Sequence, residues 1–218
     1  MTYSRIQYIS QGTTATKQLE NILEALDAGC NWIQLRFKNA EEGVIIQLAE
    51  QVKKHCKDYG ATFILNDHVQ AAKVVEADGV HLGLTDMPVP TAREILGSTK
   101  IIGGTANTLN DVLQRIHEKC DYIGLGPLRY TVTKEKLSPI LELSGYQTIL
   151  NKLKRDEVKT PIYAIGGIVE EDINELISCG VYGIAVSGLI THHPAKKQLI
   201  KNLKFSLYAP IEYSQYEI

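Results

Sequence analysis

Eight short apolar runs rich in β-forming residues recur along the chain: IQYIS (6–10), WIQLR (32–36), TFILN (62–66), GVHLG (79–83), KIIGG (100–104), YIGLG (122–126), PIYAI (161–165) and GIAVS (183–187). Between them lie stretches such as TKQLENILEALDAG and EEGVIIQLAEQVKKHCKDYG, whose apolar residues return at three- and four-residue steps, the period of a helix packed on one face. Strand and helix therefore alternate. Such alternation implies a parallel sheet, because parallel neighbours need a crossover and a helix supplies it. Gly29, Gly60 and Gly180 each stand where a helix gives way to a strand, as a left-handed C-cap requires. Eight units without a composition shift or linker predict one (β/α)8 barrel over residues 1–218, compact beside the ~250 residues typical of that fold. A doubly wound open sheet is the alternative. Residues 206–218, SLYAPIEYSQYEI, are Tyr-rich without a period and are expected to form a flexible or capping tail.

Composition narrows the class. Hydrophobic residues make up 44% and charged residues 22%, enough for a sizeable core and close to ordinary globular proteins. A formal charge of -2 leaves no basic footprint for nucleic acid, so any anion site must arise from local placement of Lys and Arg. Cys30, Cys56, Cys120 and Cys179 are scattered and form no CxxC, which argues against a zinc site or a disulfide framework and fits a reducing, cytoplasmic setting. The start, MTYSRIQYIS, lacks a basic region leading into a long apolar run, and no stretch reaches the ~18 apolar residues of a membrane span. The expectation is a soluble protein with nothing to cleave.

In a (β/α)8 barrel, reactive groups gather at the C-terminal ends of the strands. Strand two ends Gln34-Leu35-Arg36-Phe37-Lys38, and alternation puts Gln34, Arg36 and, in an extended chain, Lys38 on one side. Two cations beside an amide suit a phosphate clamp; ordinary surface Arg and Lys is the competing reading. Strand three ends Asn66-Asp67, and Asp86 follows strand four. Parallel neighbours lie ~4.8 Å apart, so the two carboxylates can reach one cation. Mg²⁺ fits, since it takes oxygen ligands from one or two carboxylates and completes its shell with water and phosphates. Alternatively, Asp67 caps the next helix and Asp86 sits in a solvated turn. The glycines of AIGGI (164–168) allow a backbone to approach an anion. His81 reads as a satisfied histidine inside the barrel, His192 and His193 as surface residues. No Ser-His-Asp triad, zinc spacing or Walker loop is present.

Taken in order, QLRFK (34–38), ND (66–67), DGVHLGLTDMP (78–88), GLGPLRYTVTK (124–134) and AIGGI (164–168) resemble the thiamin phosphate synthase family, from strand two to the last strands. The resemblance implies a (β/α)8 enzyme that joins hydroxymethylpyrimidine diphosphate to thiazole phosphate, with or without a carboxyl on the thiazole, and releases diphosphate. It implies that Gln34, Arg36, Lys38, Asn66 and Lys134 hold the pyrimidine diphosphate, with Thr105 where many relatives have Ser. Arg36, Lys38 and Lys134 would stabilise the leaving group, and Asp67 and Asp86 would hold Mg²⁺. Thr131 and Thr133, with Gly167, Val186 and Ser187, would bind the thiazole phosphate. His68 departs from a common Arg, Glu135-Lys136 from a more usual Lys-Asp, and the end of strand eight is one residue shorter than in many relatives. Partners would be small molecules, with neither nucleic acid nor membrane, and a homo-oligomer stays open. The rivals are a thiazole tautomerase, which needs no metal-diphosphate site, and a non-catalytic barrel that binds a thiamin precursor.

Overall fold

The computed structural model describes residues 3–38, 40–130 and 139–209. Strands β1 (Ile6–Ile9), β2 (Trp32–Leu35), β3 (Thr62–Asn66), β4 (Gly79–Leu82), β5 (Ile101–Ala106), β6 (Tyr122–Leu125), β7 (Ile162–Ile165) and β8 (Gly183–Val186) pair in sequence order and close into a barrel. Every pairing is parallel, and closure is made by β1 on β8, with Ile6 opposite Ile184 and Tyr8 opposite Val186. The open-sheet alternative is thereby excluded.

Helices fill the crossovers: α1 (Ala15–Asp27), α2 (Glu42–Asp58), α3 (Val69–Val74), α4 (Val89–Leu96), α5 (Leu109–His117), α6 (Glu142–Arg155) and α7 (Ile173–Cys179), with α8 (Gly188–Thr191) and α9 (Lys196–Tyr208) after β8. Local chemistry starts and stops them. The Thr14 hydroxyl accepts the Lys17 N–H at 3.1 Å at the start of α1, and Thr108 with Asp111 forms a capping box on α5. Gly29, Gly60 and Gly180 take φ of 99°, 61° and 99° as the chain leaves α1, α2 and α7, as their placement predicts. Residues 206–208, assigned from sequence to the tail, close α9, and 210–218 lie outside the described residues.

Alternation along each strand divides the core in two. Outward residues such as Ile33, Leu35, Phe63, Leu65, Val80 and Leu82 pack beneath the helices. Inward residues fill the barrel, whose lower part is an aromatic plug: Trp32 meets Tyr122 and Tyr163 edge-on at centroid separations of 4.9 and 5.4 Å. Glycine makes room for it. A Cβ on Gly103 would lie 2.1 Å from the Tyr122 ring, and one on Gly183 would lie 2.8 Å from Tyr163. With the lower barrel packed solid, space for a ligand remains only toward the strand C-termini.

Candidate active site

Above the plug lies a buried polar layer. Gln7 Nε2 donates to Tyr122 Oη at 3.0 Å, Tyr122 Oη lies 2.9 Å from His81 Nδ1, and His81 Nε2 lies 3.0 Å from Thr105 Oγ1. His81 is thus a satisfied barrel histidine, as read from the sequence. Beside it, Gln34 Nε2 donates to Asn66 Oδ1 at 2.8 Å. Burial pushes the Tyr122 phenol far up, so it stays a neutral hydroxyl able to hold the chain of bonds.

Of these, Gln34, Asn66, His81 and Thr105 form the floor of a cavity of about 460 Å³ at the C-terminal mouth. Gln34, Arg36, Asn66, Thr105, Gly167, Val186 and Ser187 all line it, seven residues named from the sequence that come from the ends of five strands. Much of the remaining wall is apolar, from Ile9, Pro127, Ile165, Ile168 and Leu189. Two buried polar atoms of lining residues lack a hydrogen-bond partner among the described residues: Gln34 Oε1 and Ser187 Oγ. An unpaired polar atom costs free energy in a closed interior, so both are suited to a polar ligand.

Asp67 and Asp86 stand beside this cavity rather than in its wall. Asp67 N–H donates to the His81 carbonyl at 2.9 Å, which fixes the end of β3 against β4. Asp86 Oδ2 accepts the Gly83 N–H at 2.6 Å, which turns its loop back toward that strand. The Asp86 carboxyl is close enough to act on that of Asp67. Burial first, then Asp86, pushes the Asp67 carboxyl up to about 7, against the opposing pull of Lys38 and Arg36. The helix-cap reading of Asp67 fails: His68 occupies the N-cap position of α3, and no side chain caps that end. Asp67 instead has a left-handed φ of 65°, a strained backbone of the kind found at functional positions.

Strand β2 stops at Leu35, so Lys38 follows a short turn and does not line the cavity, although its charge reaches Asp67. Thr131, Thr133 and Lys134, with Glu135 and Lys136, lie outside the described residues. Gln11 and Tyr130 are lining residues that the sequence did not single out, and His192, read there as a surface residue, lines the cavity as well. His192 is exposed, as read, yet its Nε2 lies 2.7 Å from Gln11 Nε2, joining the loop after β1 to the end of α8 across the rim. Gln11 follows a strand end, so the rule that found Arg36 would have found it. Buried Arg115 was also missed; it donates to the Thr105 carbonyl at 3.1 Å and the Gly83 carbonyl at 2.8 Å, tying β5 to the loop that holds Asp86.

A closed parallel barrel with a polar cavity, a glycine loop and Arg36 at its C-terminal mouth has the architecture of a (β/α)8 enzyme. A family model described as thiamine monophosphate synthase matches residues 7–190, and the chain belongs to that family. The thiamine-phosphate synthase of Flavobacterium johnsoniae is 55% identical over 209 residues, covering 96% of this chain and 99% of the relative. That of Bacteroides thetaiotaomicron is 48% identical over 185 residues, covering 85% and 88%. Among solved structures, thiamine phosphate pyrophosphorylase from Pyrococcus furiosus superposes with a TM-score of 0.81 at 30% identity, covering 93% of this chain and 95% of that one. Thiamine-phosphate synthesis, a transferase reaction, is therefore the activity of this chain. Among the described residues no helix is long and apolar enough to cross a membrane.

Proposed function

We propose that the cavity binds its two substrates side by side, the pyrimidine diphosphate over β2 and β3 and the thiazole phosphate over β7 and β8. The observation that carries this is the pair of orphaned atoms, Gln34 Oε1 and Ser187 Oγ, placed by those two strand pairs on one cavity. Gln34 and Asn66, already bonded to each other, orient the pyrimidine edge. Arg36, Lys38 and Lys134 take the diphosphate, and Thr105 offers it a hydroxyl. Thr131, Thr133, the Gly167 backbone, Val186 and Ser187 hold the acceptor phosphate.

In this arrangement the bond from the pyrimidine methylene to the diphosphate oxygen breaks first, and the electron pair leaves with the diphosphate. The thiazole nitrogen then supplies the pair that forms the new C–N bond. Guanidinium and ammonium groups fixed beside the departing oxygens stabilise the developing charge without reorganising. Ile9, Ile165, Ile168 and Leu189 keep water from the methylene cation, which would otherwise be captured as the alcohol. Holding the thiazole by its phosphate supplies orientation, so no strong base is needed.

Asp67 and Asp86 fit Mg²⁺: the donors are oxygens, and each carboxyl acts on the other, so a cation between them would relieve their repulsion. When bound, Mg²⁺ neutralises charge on the diphosphate. The free cysteines support assignment to a reducing, cytoplasmic compartment. A magnesium titration of Asp86→Asn tests the site: the variant should need at least tenfold more Mg²⁺ for half-maximal product formation, and an unchanged titration would remove Asp86 from the metal site.

A further inference from the structure

We infer that Arg129 and Asp172 form a positioning clamp that sets the acceptor-phosphate site, resting on the assignment of that site to Gly167 and Ser187. Arg129 lies in the loop after β6, and Asp172 ends a short 3-10 turn, Glu170–Asp172, after β7. The guanidinium meets the carboxylate through two parallel bonds of 2.5 and 2.7 Å. A third bond, 2.8 Å long, runs from Arg129 Nη1 to the carbonyl of Gly167. Asp172 is only 6% exposed and also accepts the Val169 N–H at 2.8 Å. One buried carboxylate thus fastens the loop after β7 to itself and to the loop after β6.

The packing leaves little play. Gly167 has φ of 70°, and a Cβ there would come 2.5 Å from Arg129 Cγ. The Leu128 and Arg129 N–H groups both reach the Gly166 carbonyl, at 3.1 and 3.3 Å. Farther along, Leu141 and Glu142 donate to the carbonyls of Pro127 and Leu128 at 3.0 and 3.1 Å, so the chain on both sides of 131–138 is anchored at the same place. Arg129 therefore connects the glycine loop to the base from which Thr131 and Thr133 follow in sequence.

A forked guanidinium fixes orientation in a way that a single-point cation does not. The Arg129 side chain is half-exposed, so an ordinary ion pair here would add little stability. What the pair adds is a fixed geometry between two loops, and geometry is what a phosphate cradle needs. Burial would raise the Asp172 carboxyl, but Arg129 and the Val169 N–H outweigh it and hold it below its ordinary value, so the clamp stays charged at neutral pH.

Steady-state kinetics with each substrate varied in turn tests this on Arg129→Ala, Arg129→Lys, Asp172→Asn and the double variant Arg129→Ala/Asp172→Asn, with Ser187→Ala as the reference for the acceptor site. Asp172→Asn retains an oxygen for the Val169 N–H, so the fold has little reason to fail. Arg129→Ala and Asp172→Asn should each raise the thiazole phosphate KM at least tenfold and leave the pyrimidine diphosphate KM within twofold. The double variant should be no worse than the poorer single one, and Arg129→Lys should fall between. The clamp is overturned if Ser187→Ala raises the acceptor KM while Arg129→Ala does not, or if both KM values rise together with a loss of thermal stability. An acceptor KM unchanged in Ser187→Ala overturns instead the acceptor-site assignment on which the clamp rests.

Discussion

The carboxyl of Asp67, at the end of β3, is held in its protonated form first by burial and then by the neighbouring carboxyl of Asp86, in the loop after β4. Two neighbouring acids cannot both ionise cheaply, and the buried member keeps the proton. Because the Asp67 pKa is raised to about 7 from 3.8, Mg²⁺ must displace that proton below neutrality. Calorimetric titration in buffers of different ionisation enthalpy should find about one proton released per Mg²⁺ near pH 6 and far fewer near pH 8.5. No release at the lower pH would contradict a proton held on Asp67.

The same pair predicts a stability effect of opposite sense to the usual carboxylate. A raised folded pKa means that the folded state holds the proton more tightly than the unfolded state. Its contribution is complete below 3.8 and disappears as pH rises through about 7. Asp67→Asn should therefore stabilise the metal-free protein at pH 8, by on the order of 1 kcal/mol after discounting for partial exposure, while losing magnesium-dependent turnover. Urea denaturation at pH 5 and pH 8 checks it: the gain must be larger at pH 8.

Gly103 is predicted to be intolerant of any side chain. Its absent Cβ leaves room for the Tyr122 ring, which would otherwise lie 2.1 Å away, and Tyr122 is wedged against Trp32 and Tyr163. Gly103→Ala should cost about 3 kcal/mol through overpacking, read as a shift in the urea midpoint. A change below 1 kcal/mol would mean that the plug can yield.

Thr105 joins the buried polar layer to the cavity through its hydroxyl, 3.0 Å from His81 Nε2. Thr105→Ser keeps that oxygen and should stay within threefold of the parent in kcat/KM for the pyrimidine diphosphate. Thr105→Val keeps the volume but removes the hydroxyl that His81 Nε2 meets and the cavity presents, and should lower kcat/KM about tenfold, equivalent to ~1.4 kcal/mol. Equal activity of Ser and Val variants would remove the hydroxyl from the site.

Much of this was legible because barrel positions are encoded locally. The β-branched runs marked the strands, and a polar residue at a strand's C-terminal end reaches the mouth whatever lies elsewhere; hence Gln34, Arg36 and Asn66 could be named, Thr105 came from the family resemblance, and all four are found on one cavity. The alternation that put Gln34 and Arg36 on one side did not carry to Lys38, because β2 ends at Leu35. What sequence did not reveal depends on closure and on helix rotation. Gln11 and His192 are 181 residues apart and meet only because β1 pairs with β8. Arg129 and Asp172 have no local pattern, since one arginine in a loop looks like any other until the next loop folds against it.

Arg115 is the least legible of these and carries the last prediction. On the sequence of α5 it is one cation among polar neighbours, yet it is 3% exposed, and its stem crosses Gly104, where a Cβ would lie 2.6 Å from Arg115 Cδ. Its guanidinium binds the carbonyls of Thr105 and Gly83 and pairs with Glu118 at 2.7 Å. Arg115→Met would leave the mostly buried Glu118 carboxylate with only the Gln114 amide and take a donor from two carbonyls, a loss expected to reach about 3 kcal/mol. Arg115→Lys retains the charge but has no fork to span all three acceptors, and should lose less. Because Gly83 is held by Arg115 at its carbonyl and by Asp86 at its N–H, the Lys variant should also weaken half-saturation by Mg²⁺ severalfold. Magnesium dependence identical to the parent, in a folded Lys variant, would show that the carboxylate pair is held without Arg115.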